Sequence, residues 1–507
     1  MGWLMKSLGM GQKGWAALAA TLIAGVGLSR WLWPQIEPAR SLPLLPPWPW
    51  QQPASSKPAA AAPLQLLSKG WQALGLGNPA ALRYPACWQS LPRTPWDLAR
   101  FDGRLYVGLG NAANDGPTAN AGPVPVLAYA LDQGRWLQEA TLPDEEISRF
   151  VPHGQQLWIT GADARGSWRW GNLYRRSSTG GLWWQERRLP RFIHAYDLAW
   201  HQGAMVVAGN VPDAVTSGPA PTRHGSALAL SRDGGGSWSV QRLAGWRATA
   251  LLPLAGELFA VEALPGPDLK RWLQAGGRWQ NFAAVHQLSP DGRWQARPEI
   301  SAADLLPGVP GAGQRFAWIE GATPAQNQLA WIARVGPWGD DPARRLAFIA
   351  KRGESGKIQV QPIPLRSGVQ AMDLITNKAG WLLLTSEQRA PQRWRSQITA
   401  VQASGQRLSQ THRLSFEAAL PAWSLASDGT TLWVGLGHPA FQPETTPGQC
   451  SAADQLSGSV VAISPASQPS SNEARNCQRP TSHHGAVRGD CPPVRCPWGP
   501  VASPSAG

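Results

Sequence analysis

A block of about fifty residues recurs seven times along the chain, and this repeat limits the fold more than any other feature. Each copy opens with an apolar run, a short turn that usually contains glycine, and a second apolar run with alternation. The copies are WDLARFDGRLYVGLGN (96–111), ISRFVPHGQQLWITGAD (147–163), YDLAWHQGAMVVAGN (196–210), TALLPLAGELFAVEA (249–263), FAWIEGATPAQNQLAWIA (316–333), MDLITNKAGWLLLTS (372–386) and WSLASDGTTLWVGLG (423–437). That pattern is a β-hairpin signature. Six of the seven lead into a second hairpin, as in VLAYALDQGRWLQEATLP and ALALSRDGGGSWSVQRL. A four-stranded unit cannot cover both of its own faces, but such units stacked around an axis cover one another. The 54 Gly, 47 Pro and low charged fraction (15%) suit short strands and turns better than long helices.

The repeats predict an all-β, seven-bladed β-propeller of four-stranded blades over residues 85–465. The seventh copy has its third strand, SVVAIS (459–464), and no regular fourth. The segment ACWQSLPR (86–93) has the shape of the fourth strands elsewhere, an early Trp followed by Leu-Pro. It is expected to complete the last blade from the N-terminal side, so that the ring closes without exposed strand edges. The early Trp of the fourth strand recurs as Trp88, Trp136, Trp184, Trp238 and Trp294.

Between the third and fourth strands of blade three lies SRDGGGSW, in which Ser231, Asp233, Gly235 and Trp238 fit S-x-D-x-G-x-x-W. This resembles the Asp-box of sialidase-type β-propellers, and SSTGGLWW (177–184) is a degraded copy with Thr179 in the Asp place. The resemblance implies a structural turn: Asp233 accepts backbone N–H bonds, Gly235 supplies an unusual backbone angle, and Trp238 packs between blades. It implies architecture and not activity, because function is grafted onto such scaffolds. Asp-box propellers that assist assembly of photosynthetic complexes look similar in plan, while blade length and motif density differ here.

Residues 14–29, GWAALAATLIAGVGLS, are uncharged and mostly apolar, with Lys6 and Lys13 before them and Arg30, Trp31 and Trp33 after. Sixteen residues span only ~24 Å as a helix, and extension to Trp33 approaches a membrane span. Residues 1–33 are therefore read as a signal-anchor or signal peptide, with the body exported. Residues 34–84 read as a Pro/Ala-rich linker with a short helix, and 466–507 as a disordered Cys-containing tail. The match of Gly9, Gly11 and Gly14 to G-x-G-x-x-G follows no strand and is dismissed as a dinucleotide site.

The net charge is +14, and Arg dominates the 46 basic residues. No basic run marks a nucleic-acid tail, so the expected partners are a protein or an anionic or glycan ligand, plus the membrane through the N-terminal helix. Loops between second and third strands are read as long in every blade, on the face opposite the short turns, and long loops on a rigid scaffold are where binding resides. They carry Arg165, Trp168, Arg169, Trp170, Arg271, Trp272, Arg278, Trp279, Arg334, Trp338, Arg393, Trp394 and Arg395, the candidate binding set. Guanidinium groups suit carboxylates and phosphates, and indoles suit sugar rings. Asp97, Asp197 and Asp373, with Ser148, Thr249 and Ser424, hold matching places at the starts of inner strands. They form either a polar ring at the channel mouth or ties to the next blade through backbone N–H groups.

No catalytic residue is assigned and no cofactor is expected. H-E-x-x-H and G-x-S-x-G are missing from the sequence, and Tyr196 beside Asp197 is the best placed of five tyrosines for a nucleophile. The function expected is an exported, membrane-tethered, non-catalytic binding or scaffold module. The alternative is a glycan hydrolase or lyase of sialidase-like architecture, for which Asp163, Asp340, Asp341, Glu387 and Glu444 supply carboxylates without a defining spacing. His224 and His438 read as surface loop residues. Five Cys suit an exported protein with one or two bridges. Strand directions favour Cys87–Cys477 over Cys87–Cys450, which they place on opposite faces. The spacing of Cys477, His483, His484, Cys491 and Cys496 matches no zinc module.

Overall fold

The computed structural model describes residues 42–43, 62–113, 116–163, 172–179, 183–186, 189–212, 224–243, 245, 247–263, 285–310, 312, 317–336, 344–353, 357–405, 407–439, 447 and 449–466. The first 41 residues, read as an anchor and the start of a linker, and the tail from 467 lie outside them. No helix among the described residues is long and apolar enough to cross a membrane.

The described strands form seven antiparallel sheets. Blade 1 runs Asp97–Phe101, Arg104–Gly108, Val124–Ala130 and Arg135–Leu142; blade 2 runs Phe150–His153, Gln156–Thr160, Leu173–Ser177 and Trp183–Glu186. Blades 3 to 6 begin with His194–His201, Ala248–Leu254, Ala317–Ala325 and Val369–Asn377. Blade 7 runs Ala422–Ser427, Leu432–Leu436 and Ser459–Pro465. Neighbouring blades touch through their inner strands, blade 2 meeting blade 3 through its second strand, and blade 7 returns to blade 1. The result is a seven-bladed all-β propeller.

Burial falls from the axis outward, and the sequence follows it. Second strands such as Leu432–Leu436 are buried throughout, because a sheet sandwiched between neighbours hides both faces. Outer strands keep an exposed face, as in Ser239–Arg242. The core is accordingly shared between blades: Trp158 and Leu173 of blade 2 pack with Val207 and Ala229 of blade 3, and Trp238 lies against that cluster.

The fourth strand of blade 7 is Trp71–Gly77, which pairs antiparallel with Ser459–Pro465 from Trp71↔Pro465 to Gly77↔Val460. Residues 86–93 were expected there and instead form turns, held by Arg93 donating to the carbonyls of Tyr84 and Ala86 at 2.6 and 2.9 Å. Pro85 and Pro92 lack the N–H donors a ladder needs at both ends of that stretch, whereas WQALGLG presents uninterrupted donors. The N-terminal segment is also more structured than a linker. Leu64–Leu66 pairs with the outer edge of blade 6, Leu42–Pro43 with that of blade 2, and Pro79–Leu82 is a single 3-10 turn.

The disulfide joins Cys87 to Cys450, with Cα atoms 5.8 Å apart, and corrects the expected pairing with Cys477, which lies outside the described residues. Because 86–93 is not the fourth strand, Cys87 is not carried to the short-turn face. It sits beside the loop before Ser459, where Ser457 Oγ donates to Ser90 O and Asn78 donates to Ser457 O at 2.8 Å.

Blades 1 and 2 are joined by a charged network that no sequence pattern announced. Glu139 accepts from Tyr106 Oη and Trp183 Nε1, both at 3.0 Å, and pairs with Arg104 at 3.0 Å and Arg176 at 3.1 Å. Arg176 is 2% exposed. Glu139→Ala leaves Arg176 its Asp102 partner at 3.0 Å and removes the acceptor shared by Tyr106 and Trp183, and urea denaturation is expected to show a loss of about 1–3 kcal/mol. Cys87→Ser, measured the same way under oxidising conditions, is expected to cost about 2–5 kcal/mol, an effect reproduced in the wild-type chain by adding a reductant.

Candidate functional site

The inner strands begin at the face that carries the second-to-third-strand loops, and in five blades the inner strand bulges there. The residues left out of the ladder are Tyr196, Thr249, Glu320 with Gly321, Met372 and Trp423. A bulge turns a side chain away from its usual alternation. These six residues all line one cavity of ≈ 1060 Å³ along the propeller axis.

Carboxylates near the starts of three inner strands tie the blades together, after the bulge in blades 3 and 6 and in an unbulged strand in blade 1. Asp97 accepts from Phe150 N of blade 2 at 2.6 Å, Asp197 from Leu251 N of blade 4 at 2.8 Å, and Asp373 from Leu425 N of blade 7 at 2.6 Å. Asp197 and Asp373 also accept from the following residue, Leu198 N at 2.9 Å and Leu374 N at 2.6 Å. Each carboxylate thus satisfies backbone donors on two inner strands. Ser424 is fully buried at the matching place of blade 7, and Ser148 of blade 2 is exposed.

Arg149 crosses the cavity. It donates from Nη1 to Asp197 at 2.9 Å and from Nη2 to Ala322 O of blade 5 at 3.0 Å. Gly321 makes this possible: its φ is +53°, and a Cβ there would lie 1.6 Å from Arg149 Nη1.

Above this brace the mouth is an arrangement of arginines on rings. Arg345 lies 4.9 Å over Trp423 and Arg334 5.4 Å over Trp318. Arg247 lies 5.7 Å over Tyr196 and 5.9 Å over Trp318. Tyr196 meets Trp318 edge-on at 4.9 Å and stacks on His194 at 5.2 Å. Arg345 is 9% exposed and chelates Glu320, from Nη1 to Oε1 at 2.8 Å and Nη2 to Oε2 at 2.7 Å, and donates to the carbonyls of Ala371 and Met372. Arg334 reaches Glu320 only at 3.9 Å, and its side chain is 47% exposed.

Burial dominates the acid–base character of the site. It pushes the Glu146 carboxyl up to about 7, against the Ala112 N–H bond and the Arg334 charge that favour ionisation. Asp144, beneath a hydrogen bond from Tyr174, is likewise raised to about 7 by burial. Burial raises Asp197 and the interacting pair Asp97 and Asp373, and it raises the Tyr196 hydroxyl despite nearby Arg247.

The candidate loop residues divide. Arg334 lines the mouth. Arg393, Trp394 and Arg395 do not, because blade 6 continues its strands through a two-residue turn at 391–392 where a long loop was expected. Trp394 is 3% exposed in the blade, while Arg393 and Arg395 pair with Glu417 at 2.8 and 3.3 Å. Arg165, Trp168, Arg169, Trp170, Arg271, Trp272, Arg278, Trp279 and Trp338 lie outside the described residues, as do Asp340, Asp341 and Glu444. Glu387 is taken up by Arg389 at 2.9 Å. His438, expected at the surface, is 4% exposed: its carbonyl accepts from Trp423 Nε1 and its N–H donates to Thr94.

The turn at 231–238 is closed by its own side chains. Ser231 Oγ donates to Asp233 Oδ1 and accepts from Gly235 N, both at 2.7 Å, and Asp233 accepts from Ser237 N at 2.8 Å. Those bonds hold the Asp233 carboxyl below its usual range, and Gly235 adopts φ +93°. Blade 4 repeats the device: Ser289 Oγ donates to Asp291, which is also held low. Arg247, Trp318, Glu146 and Glu320 were missed in the sequence. A large side chain precedes a small polar one at the bulges Tyr196-Asp197, Met372-Asp373 and Trp423-Ser424, and that pattern does not mark these four residues.

No family model matches this chain, and no curated protein matches it. Among solved structures it is similar to the extracellular domain assigned to a one-component system in B. thetaiotaomicron, with 11% identity over 74% of this chain and a TM-score of 0.39. The chain spans 41% of that protein's length. It is also similar to the β-propeller domain of the Trilobed protease from Pyrococcus furiosus (10% identity, 58% of this chain and 75% of that one, TM-score 0.32). A chain of the Mitotic Checkpoint Complex matches at 10% identity over 73% of this chain and 89% of its own, with a TM-score of 0.37.

Asp97, Asp144, Glu146, Asp197 and Asp373 all have carboxyls raised on folding, so between the ordinary carboxylate range and about pH 8 the folded chain holds more protons than the unfolded one. That contribution to stability is complete at low pH and is lost as pH rises. Calorimetry is expected to give a higher unfolding midpoint at about pH 5 than at about pH 8, with the difference reduced in Asp373→Asn.

Proposed function

We propose that this chain is an exported, membrane-tethered β-propeller acting as a binding or scaffold module, and that a protein or glycan presenting an anionic group enters the channel mouth on the loop face. The observation that carries the proposal is Arg334: a half-exposed guanidinium seated on Trp318, beside Arg247, at the opening of a ≈ 1060 Å³ cavity. A concave site with a few convergent polar groups is the usual form of a ligand pocket. The ring faces are occupied by arginines and by His194, so the rings orient the cations and a ligand meets guanidinium edges. The net charge of +14 draws anions to the surface. Export is supported by the apolar segment 14–29 and by the Cys87–Cys450 bridge, since such bonds persist in oxidising compartments. The side-chain-closed turns at Ser231 and Ser289 support a place among Asp-box propellers.

A second reading, a glycan hydrolase or lyase, draws on Tyr196 and Glu146 lining the same mouth. It needs an ionised or readily deprotonated Tyr196, and burial works against that. Turnover of fluorogenic uronides or sialosides that disappears in Tyr196→Phe would establish this reading over the first.

The binding reading is tested with a glycan and acidic-peptide array probed with the full chain in detergent. Wild type is expected to retain anionic probes. Arg334→Ala with Arg247→Ala is expected to weaken retention by about 1.5–3 kcal/mol per charged hydrogen bond lost, while Arg393→Ala leaves it unchanged.

A further inference from the structure

Large apolar side chains are seldom exposed on the described surface, and those that are lie close together in the chain. Among the described residues they are Leu67, Leu74, Leu82 and Val240, at 40%, 49%, 78% and 36% exposed, and the first three fall within residues 67–82. That segment forms the outer rim of blade 7. Leu67 precedes the closing strand Trp71–Gly77, Leu74 lies in its middle opposite Ala462, and Leu82 ends the turn Pro79–Leu82 that follows, so apolar surface is open along the height of the rim. The charge here is of one sign. No Asp or Glu occurs between Glu37 and Asp97, while Lys69 and Arg83 are both exposed. Arg83 is held by a carbonyl and not a carboxylate, donating to Pro123 O at 3.2 and 3.3 Å. The outer strands of the adjoining blades, Arg135–Leu142 and Arg407–Ala418, contain one acid each, Glu139 and Glu417, and both are paired with arginines.

Resting on the tether reading above, we propose that the rim of blade 7 lies against the surface of an anionic lipid bilayer, with its leucines seated among the headgroups and Lys69 and Arg83 facing lipid phosphates. A single exposed leucine is ordinary, but three on one rim with only cations beside them are what an interfacial membrane contact needs. A protein partner would suit the leucines too, and the course of the chain favours the bilayer. Leu42–Pro43 pairs with the outer strand of blade 2, nine residues after Trp33, and nine residues reach at most about 30 Å. With residues 14–33 in a bilayer, the rim of blade 2 is held within that distance of it. Leu64–Leu66 then lies on the edge of blade 6 and Trp71–Gly77 is the outer strand of blade 7. The N-terminal segment thus meets the ring along the arc of blades 6, 7, 1 and 2, at its outer edge each time. The rim runs parallel to the channel axis, so a rim resting on a membrane lays the axis along it. Both channel mouths then open to solvent, and a ligand of the loop face arrives from the aqueous side.

The test is photolabelling of the full chain reconstituted into phosphatidylcholine–phosphatidylglycerol vesicles that carry a diazirine phospholipid, with adducts located by mass spectrometry. Adducts are expected in 1–33 and in 67–83, and not at Val240 on the outer strand of blade 3. Leu74→Glu with Leu82→Glu is expected to lower the 67–83 adducts about tenfold and leave those in 1–33 unchanged. Leu82→Glu alone, at a side chain already 78% exposed, is expected to lower them about threefold with an unaltered unfolding midpoint. Adducts in 1–33 alone, or 67–83 adducts that survive both variants, overturn the inference and leave the tether reading standing. Adducts in 67–83 without any in 1–33 uphold the rim contact and overturn the tether. Val240 labelled as heavily as 67–83 shows no preferred rim and overturns the inference. An amine-reactive cross-linker that joins Lys69 of two copies, with no lipid adduct in 67–83, assigns the rim to a second copy of this chain and overturns it as well. Adducts nowhere in the chain overturn both readings.

Discussion

Each blade of this protein is a sheet with two apolar faces and no cover of its own, so every blade depends on the two beside it. That dependence is enforced at one level of the axis by buried carboxylates. Asp97, Asp197 and Asp373 each reach across to a backbone N–H of the following inner strand, so adjoining blades share donors and acceptors as well as apolar surface. Such bonds contribute modestly when made, but losing one leaves a buried donor without a partner. The spacing of inner strands, and with it the diameter of the cavity, follows from these ties.

The same level of the axis builds the candidate site. Bulges in five inner strands free residues from the ladder, and the freed residues line the mouth: Tyr196, Glu320 and Trp423 among them. Arginines from neighbouring strands then settle on these rings, Arg247 and Arg334 on Trp318 and Arg345 on Trp423. Structural and binding roles are divided among similar residues by their partners. Arg345 is committed to Glu320 and two carbonyls, Arg149 braces the cavity, and Arg334 keeps nearly half its side-chain surface open.

The seam shows where reading a sequence by shape goes astray. Residues 71–77 and 86–93 both offer an early Trp, and only the first can hydrogen-bond as a strand without prolines close by. Choosing the second displaced Cys87 to the wrong face and, with it, the disulfide partner. The 393–395 triplet failed differently. Arg-Trp-Arg has the period of a strand, two residues outward and one inward, and that is how it is used: Arg393 and Arg395 share Glu417 while Trp394 is buried. Composition marked it as a binding loop, and alternation would have placed it in a hairpin.

By itself the sequence determined the repeat, and the repeat determined the sheets. Apolar alternation, turn glycines and the Ser231–Asp233 closure are local properties, readable within a dozen residues because their hydrogen bonds are made within that distance. What only the tertiary structure decided are the meetings of residues far apart in the chain: Cys87 with Cys450, Arg149 with Ala322, and Trp318 with Tyr196. These depend on the ring bringing different blades to a common axis, and no single repeat carries information about which side chain its neighbours will present there.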